Sequence, residues 1–234
     1  MTMLPFKLST APSADIFLLT IRGELAAPNL DAARKIHNMT AGDDQGVAMA
    51  RSFSDLSHAV YVPVTPPKSG AGELLIIDYW TSPDGLKTFF SNEQVQQGGG
   101  MLYKSREPVV WRVSQGLPRF SLPAPNGKNE RYVGLARGPV ASLEKAEKIL
   151  TASAQKGVYQ SRAKGLMRRD WYFRLARPGE PTQPEAIGVD VWFDAEGMKA
   201  VYEDSAEMSG LEDLFTGEPD LSSWRKPEGA WVEW

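Results

Sequence analysis

Cysteine is absent from the 234 residues. That excludes disulfides, thiolate zinc sites and cysteine nucleophiles, and it fits a reducing compartment. Histidine is nearly as scarce, with two residues, and no spaced acidic cluster accompanies them. No metal site is therefore expected. Long apolar runs are missing too. LLII at 74–77 is among the longest, far short of the ~20 residues that span a bilayer. The opening MTMLPFKLSTAPSAD has one lysine, two prolines and no apolar core, so it does not read as a signal peptide. A soluble, cytoplasmic protein with no membrane partner is expected. Charge of neither sign dominates, and the net value of −3 argues against a generally basic nucleic-acid binder. The glycine run QQGGGM (96–101) lies in no phosphate-loop pattern and reads as a helix stop followed by a flexible loop.

What is present is a repetition. DYWTSPDGLK (78–87) returns as DVWFDAEGMK (190–199), with four of ten positions identical. The match extends outward in order. Arg22-Gly23 falls on Arg137-Gly138, SHAVYV (57–62) on RDWYFR (169–174), and Trp111-Arg112 on Trp224-Arg225. This alignment places His58 opposite Asp170. In each copy a strand (16–22; 132–137) leads to a helix capped by Asn29 or Ser142. Aromatic and β-branched strands follow (58–62 and 73–80; 171–175 and 186–193). SPDG and DAEG then open a second helix, with acidic residues where the helix dipole favours them. LPRFSL (117–122) and AWVEW (230–234) read as final strands, and PAPNGKN (123–129) as a linker. The order β-α-β-β-α-β is the ferredoxin-like split βαβ unit. The expected fold is α+β: tandem ferredoxin-like repeats over 1–122 and 130–234 that form an intramolecular α/β barrel, each covering the apolar sheet face of the other.

ELLIIDYWTSPDGLKTFFSNEQVQ (73–96) resembles the third strand and second helix of antibiotic-biosynthesis-monooxygenase-like proteins of the dimeric α/β-barrel superfamily. Asp78, Trp80, Ser82, Asp84 and Leu86 match that family pattern, and Asp190, Trp192, Asp194, Glu196 and Met198 echo it. The family helix often carries histidines where Phe89 and Gln94 stand here. The resemblance implies cofactor-independent oxygenation of aromatic polyketide-like compounds for some relatives, and degradative or heme-associated roles for others.

The candidate chemistry lies on the central strands. His58 alternates with Val60 and Val62 and shares their face. It reads as a base, as an axial heme ligand, or as a hydrogen-bonded buried histidine. His37, near a helix end, reads as a surface or capping residue. Asp78, between Ile76 and Trp80, is a base with a raised pKa or a carboxylate paired with Arg22 or Arg51. Trp80 and Tyr61 offer an aromatic surface, and Arg51 an anion or phenolate partner. The leading expectation is a cofactor-free monooxygenase-like enzyme for a small aromatic or apolar molecule. His58 and Asp78 would do the chemistry, and Trp80, Arg51 and Tyr61 would bind substrate. A non-catalytic small-molecule binder and a heme protein are the alternatives. A homodimer is compatible with either.

Overall fold

The computed structural model describes residues 16–114, 116–117, 119–122, 131–153, 158–176, 183–204, 211 and 213–234. The opening fifteen residues and the linker at 123–129 lie outside the described residues. The chain divides into two compact units that do not coincide with the repeats. One comprises Ala14–Val113 together with Ser223–Trp234; the other includes Ser114–Ser222.

In the first unit an antiparallel sheet has the order β4 (Tyr103–Val113), β1 (Phe17–Leu25), β3 (Glu73–Trp80), β2 (Asp55–Pro63). This is the ferredoxin-like order. Beyond β2, Trp224 and Arg225 of β9 (Asp220–Arg225) pair with Pro63 and Val62. Four helices follow the caps that the sequence supplies. Asn29 accepts from Ala32 N to open α1 (Leu30–Thr40), and Asp43 opens α2 (Asp44–Ser52). Ser82 and Pro83 open α3 (Pro83–Phe90). Asn92 opens α4 (Glu93–Leu102). Leu19, Ile21, Val60, Leu74, Ile76 and Trp80 form the sheet side of an apolar core, with Ala33, Ala50, Leu86 and Phe89 facing them from the helices. At ~25 cal/mol per Å² this burial is the main force holding helices to sheet.

Two sequence expectations need correction here. The fourth strand of the first repeat is YKSREPVVWRV, not LPRFSL. Val109 and Trp111 are buried at period two, and the Trp111 indole donates to Thr20; the charged start of the segment hid that alternation. Among the described residues of LPRFSL, Phe120–Ser121 forms a short strand, β5, which pairs with β7 of the second unit. The glycine run does not stop a helix either, because α4 passes through it. Each glycine costs about 1 kcal/mol in a helix, but at Gly98 close packing against α1 requires the lack of a side chain, and the Arg106 guanidinium lies over Gly99. A Cβ on Gly98 would lie 2.9 Å from Thr40 Cβ of α1, and one on Gly99 would overlap the Arg106 guanidinium.

The second unit repeats the pattern with β6 (Tyr132–Pro139), β8 (Glu185–Trp192), β7 (Leu166–Arg174) and β5 as neighbours. Its helices are α5 (Leu143–Ser153), α6 (Val158–Ala163) and α7 (Ala195–Tyr202). Ser142 and Asp194 cap α5 and α7 as expected. AWVEW forms no regular strand. It belongs to the first unit, where Trp234 and His58 exchange backbone hydrogen bonds of 2.7 and 3.2 Å.

Candidate active site

Pairing of β2 with β3 sets His58 directly opposite Asp78. Their side chains meet on the helix-facing side of the sheet, with His58 Nδ1 2.8 Å from Asp78 Oδ1. The far nitrogen of His58 meets a second imidazole: His58 Nε2 and His37 Nε2 are 2.9 Å apart. His37 is fully buried, which corrects its reading as a surface or capping residue. It lies seven residues along α1 from Leu30 and four from Ala33, on the core face they define. Its Nδ1 is 3.0 Å from Asn38 Oδ1.

Residues 230–234 close this arrangement. The Trp234 ring stacks on His58 at 4.5 Å between centroids, and its indole N–H donates to Asp55 Oδ2 at 2.9 Å. Asn38 Nδ2 donates to the Ala230 carbonyl, and Asn38 Oδ1 accepts from Val232 N. Glu233 accepts from Val60 N.

Burial and neighbouring charge tune these groups. His37 falls to about 4, chiefly because burial penalises its charged form and then because His58 is close. Burial also opposes a charge on His58, but Asp78, Asp55 and Glu233 outweigh it and raise His58 above the ordinary imidazole value. Asp55 rises to about 7, through burial first and the Asp78 charge second.

The cluster forms one wall of a cavity of about 400 Å³ between helices and sheet. Trp80, Phe89, Phe90 and Leu102 give it an apolar lining, and Arg106 contributes a cation. Met39 and Met101, both largely exposed, also line it. Two donors on its wall, Trp80 Nε1 and Tyr103 Oη, are buried and have no hydrogen-bond partner. A buried unpaired donor costs about 1–3 kcal/mol, so both are suited to acceptor atoms of a ligand. Burial pushes the Tyr103 phenol upward, with the Asp78 charge adding to it, and keeps it a donor.

Of the residues singled out from sequence, His58, Asp78 and Trp80 line this one cavity. Arg51 does not. It is exposed and lies in a shallow cleft with Asp44 and Val47. Tyr61 occupies the other face of β2, under the Lys226 ammonium at 4.2 Å. Asp78 pairs with neither expected arginine, since Arg22 holds Glu73 and the partner of Asp78 is His58. Asp55, Trp234 and Tyr103 were not named from sequence as parts of a site. Only long-range pairing brings them there.

Neither histidine is placed to serve as an axial heme ligand. An axial imidazole needs a ring nitrogen free to bind iron. Both nitrogens of His58 and both of His37 are engaged with Asp78, with each other and with Asn38. Among the described residues, no group of three or more potential ligands is arranged to hold a metal ion.

The second repeat builds the matching position differently. Arg169, not Asp170, stands opposite Asp190, so the sequence alignment of the two strands was one residue out of register. A bulge lies at the same place in each strand. Arg169 grips Asp190 with two hydrogen bonds of 2.8 and 2.7 Å, and the Tyr202 hydroxyl donates to the same carboxylate at 3.2 Å. Tyr202 sits where a side chain on Gly134 would be.

No protein-family model matches the sequence, and no curated protein matches it. Solved structures do. An anthrone oxidase-like protein superposes with a TM-score of 0.64 at 13% identity, covering 94% of each chain. A Lactobacillus acidophilus NCFM protein provisionally named a monooxygenase gives 0.58 at 8% identity, covering 94% of this chain and 98% of its own. A variant of chlorite dismutase from Candidatus Nitrospira defluvii gives 0.55 at 11%, covering 92% of each. No helix among the described residues is long and apolar enough to cross a membrane. The fold is that of the dimeric α/β-barrel proteins, present here as two fused ferredoxin-like repeats.

Proposed function

We propose that the cavity of the first repeat is the active site of a cofactor-independent monooxygenase-like enzyme for a small aromatic ketone or phenol with an activated methylene. The observation that carries this reading is a buried His58–Asp78 pair, with Asp55 beside it, on the wall of an aromatic-lined cavity. A general base is most effective with a pKa near the working pH, and Asp55 lies at about 7. Asp55 takes the substrate C–H proton. His58 holds the Asp78 carboxylate, so the added negative charge is balanced. The oxygen of the resulting enolate or phenolate accepts from Trp80 Nε1 and Tyr103 Oη, the two donors without a partner. The carbanion is itself the reductant. Its electron pair reduces O2, a hydroperoxide forms at that carbon, and loss of water leaves a carbonyl, so that CH2 and O2 become C=O and H2O. The solved structures named as an anthrone oxidase-like protein and as monooxygenases support this reading.

Oxygen uptake with anthrone and a panel of hydroxyaryl ketones tests it. One O2 consumed per ketone, and loss of uptake in Asp55→Asn and in Asp78→Asn, is the expected result. Absence of uptake by the wild-type protein across the panel contradicts it. A second reading, a non-catalytic binder, has one observation in its favour. Phe89 and Gln94, which stand where the resembling family often has histidines, line this same cavity. Calorimetric binding of the panel without oxygen consumption would select it.

A further inference from the structure

The hydrogen-bond directions around His37 can be solved from one end. Asn38 donates from Nδ2 to the Ala230 carbonyl at 2.8 Å and accepts at Oδ1 from Val232 N at 3.1 Å. These two contacts fix which end of the amide faces His37. Oδ1 can only accept, so His37 Nδ1 carries a hydrogen. His37 Nε2 and His58 Nε2, 2.9 Å apart, share a single hydrogen between two lone-pair sites. His58 Nδ1 and Asp78 Oδ1, at 2.8 Å, share another.

We propose that Asn38 is a positioning residue that fixes the Nδ1–H tautomer of His37 and thereby holds His58 as an imidazolium facing the Asp78 carboxylate. With Nδ1 of His37 occupied, its Nε2 is the acceptor and His58 Nε2 is the donor. The carboxylate beside His58 Nδ1 draws the second proton onto that ring, whereas His37 touches no acid. The groups that face the pair are Asp78 from β3, Asp55 from β2, Tyr103 and Arg106 from β4, His37 from α1 and Glu233 from the 230–234 segment. Asp78 is the acid in direct contact with the pair, through His58 Nδ1, and this favours a cation on His58 rather than on His37. The base of the site near neutral pH is then a carboxylate, and His58 serves to hold charge. This inference concerns protonation, and it stands whether or not oxygen is consumed.

The chain has only two histidines, so their four ring nitrogens can be read directly. In uniformly ¹⁵N-labelled full-length protein at pH 7, long-range ¹H–¹⁵N correlation of the imidazoles is expected to show three protonated nitrogens. The one bare nitrogen should be His37 Nε2, with His37→Gln used for assignment. Two bare nitrogens, or a bare His37 Nδ1, overturn the proposal. Asn38→Leu removes the acceptor and frees His37 to donate from Nε2. A second bare nitrogen should then appear, and an unchanged pattern shows that Asn38 positions nothing. Asn38→Asp keeps the acceptor and should retain the three-to-one pattern even if the leucine variant fails to fold. A second bare nitrogen in Asn38→Asp overturns the proposal as well.

Discussion

Asp78 and Asp190 occupy the same position in two copies of one motif, and the two copies use it differently. Asp190 is clamped by the Arg169 guanidinium and capped by Tyr202. Three hydrogen bonds hold that carboxylate in place, and Tyr202 occupies the position beside Gly134. Asp78 faces an imidazole, and the space beside it is a cavity. Arginine stays charged at any accessible pH, so Arg169 holds Asp190 without exchanging a proton with it. Histidine can gain or lose a proton near neutral pH, so Asp78 faces a partner that can. A second substitution points the same way. Asp55 and Leu166 stand at matched register positions, each opposite its tryptophan, Trp80 or Trp192. The duplicated fold preserved the carboxylate, and its neighbours decided whether it served stability or chemistry.

The contrast predicts a sharp division of effects. Asp78→Asn should lower turnover by about 10²-fold or more while the protein stays folded, as oxygen uptake and circular dichroism would show. Asp190→Asn should do the reverse. It removes the charge facing a largely buried Arg169 and one of the two acceptors there, at a cost of about 2 kcal/mol in urea unfolding, with turnover per folded molecule unchanged. Equal losses of turnover in both variants would erase the distinction.

A smaller effect should follow pH. The Asp55 carboxyl is raised from 3.8 to about 7, so between these values the folded state holds a proton that the unfolded chain has released. Asp55 therefore costs nothing below pH 3.8. The cost grows as pH rises to about 7 and is constant beyond. Asp55→Asn should match the wild type near pH 3.5 and exceed it by on the order of 2 kcal/mol at pH 8. A stability difference that does not change with pH would contradict this. The smallest effect concerns Trp234. Trp234→Phe keeps a ring over His58 but loses the N–H to Asp55, which favours the ionised carboxylate. It should cost about 1 kcal/mol in denaturant unfolding at pH 8 and almost nothing at pH 4.

Much of the fold was legible because caps and period-two strands are local signals. Asn29, Ser82, Ser142 and Asp194 announce their helices, and ELLIIDYW announces its strand. The glycine helix was not legible, since Gly98 is explained only by the close approach of Thr40 across the packing. His58, Asp78 and Trp80 were readable as one site because strand alternation and pairing place them together. His37 carried a readable signal in its spacing from Leu30 and Ala33, outweighed by its place near a helix end. The roles of Asp55 and Trp234 depend on a contact 179 residues apart in sequence, and no local pattern encodes it. The true partner of Asp190 was hidden because Arg169 and Asp190 are 21 residues apart, whereas His58 and Asp78 are 20 apart, so a constant offset between the copies fails there.

The central claim is that the first repeat's cavity, with Trp80 and Trp234 on its wall, receives the ligand. Indole N–H signals of the seven tryptophans, followed by ¹H–¹⁵N correlation during titration with a hydroxyaryl ketone, test it directly. The Trp80 and Trp234 signals should shift with ligand, and the Trp192 signal should stay in place. Movement of Trp192 with Trp80 and Trp234 unmoved would contradict the account.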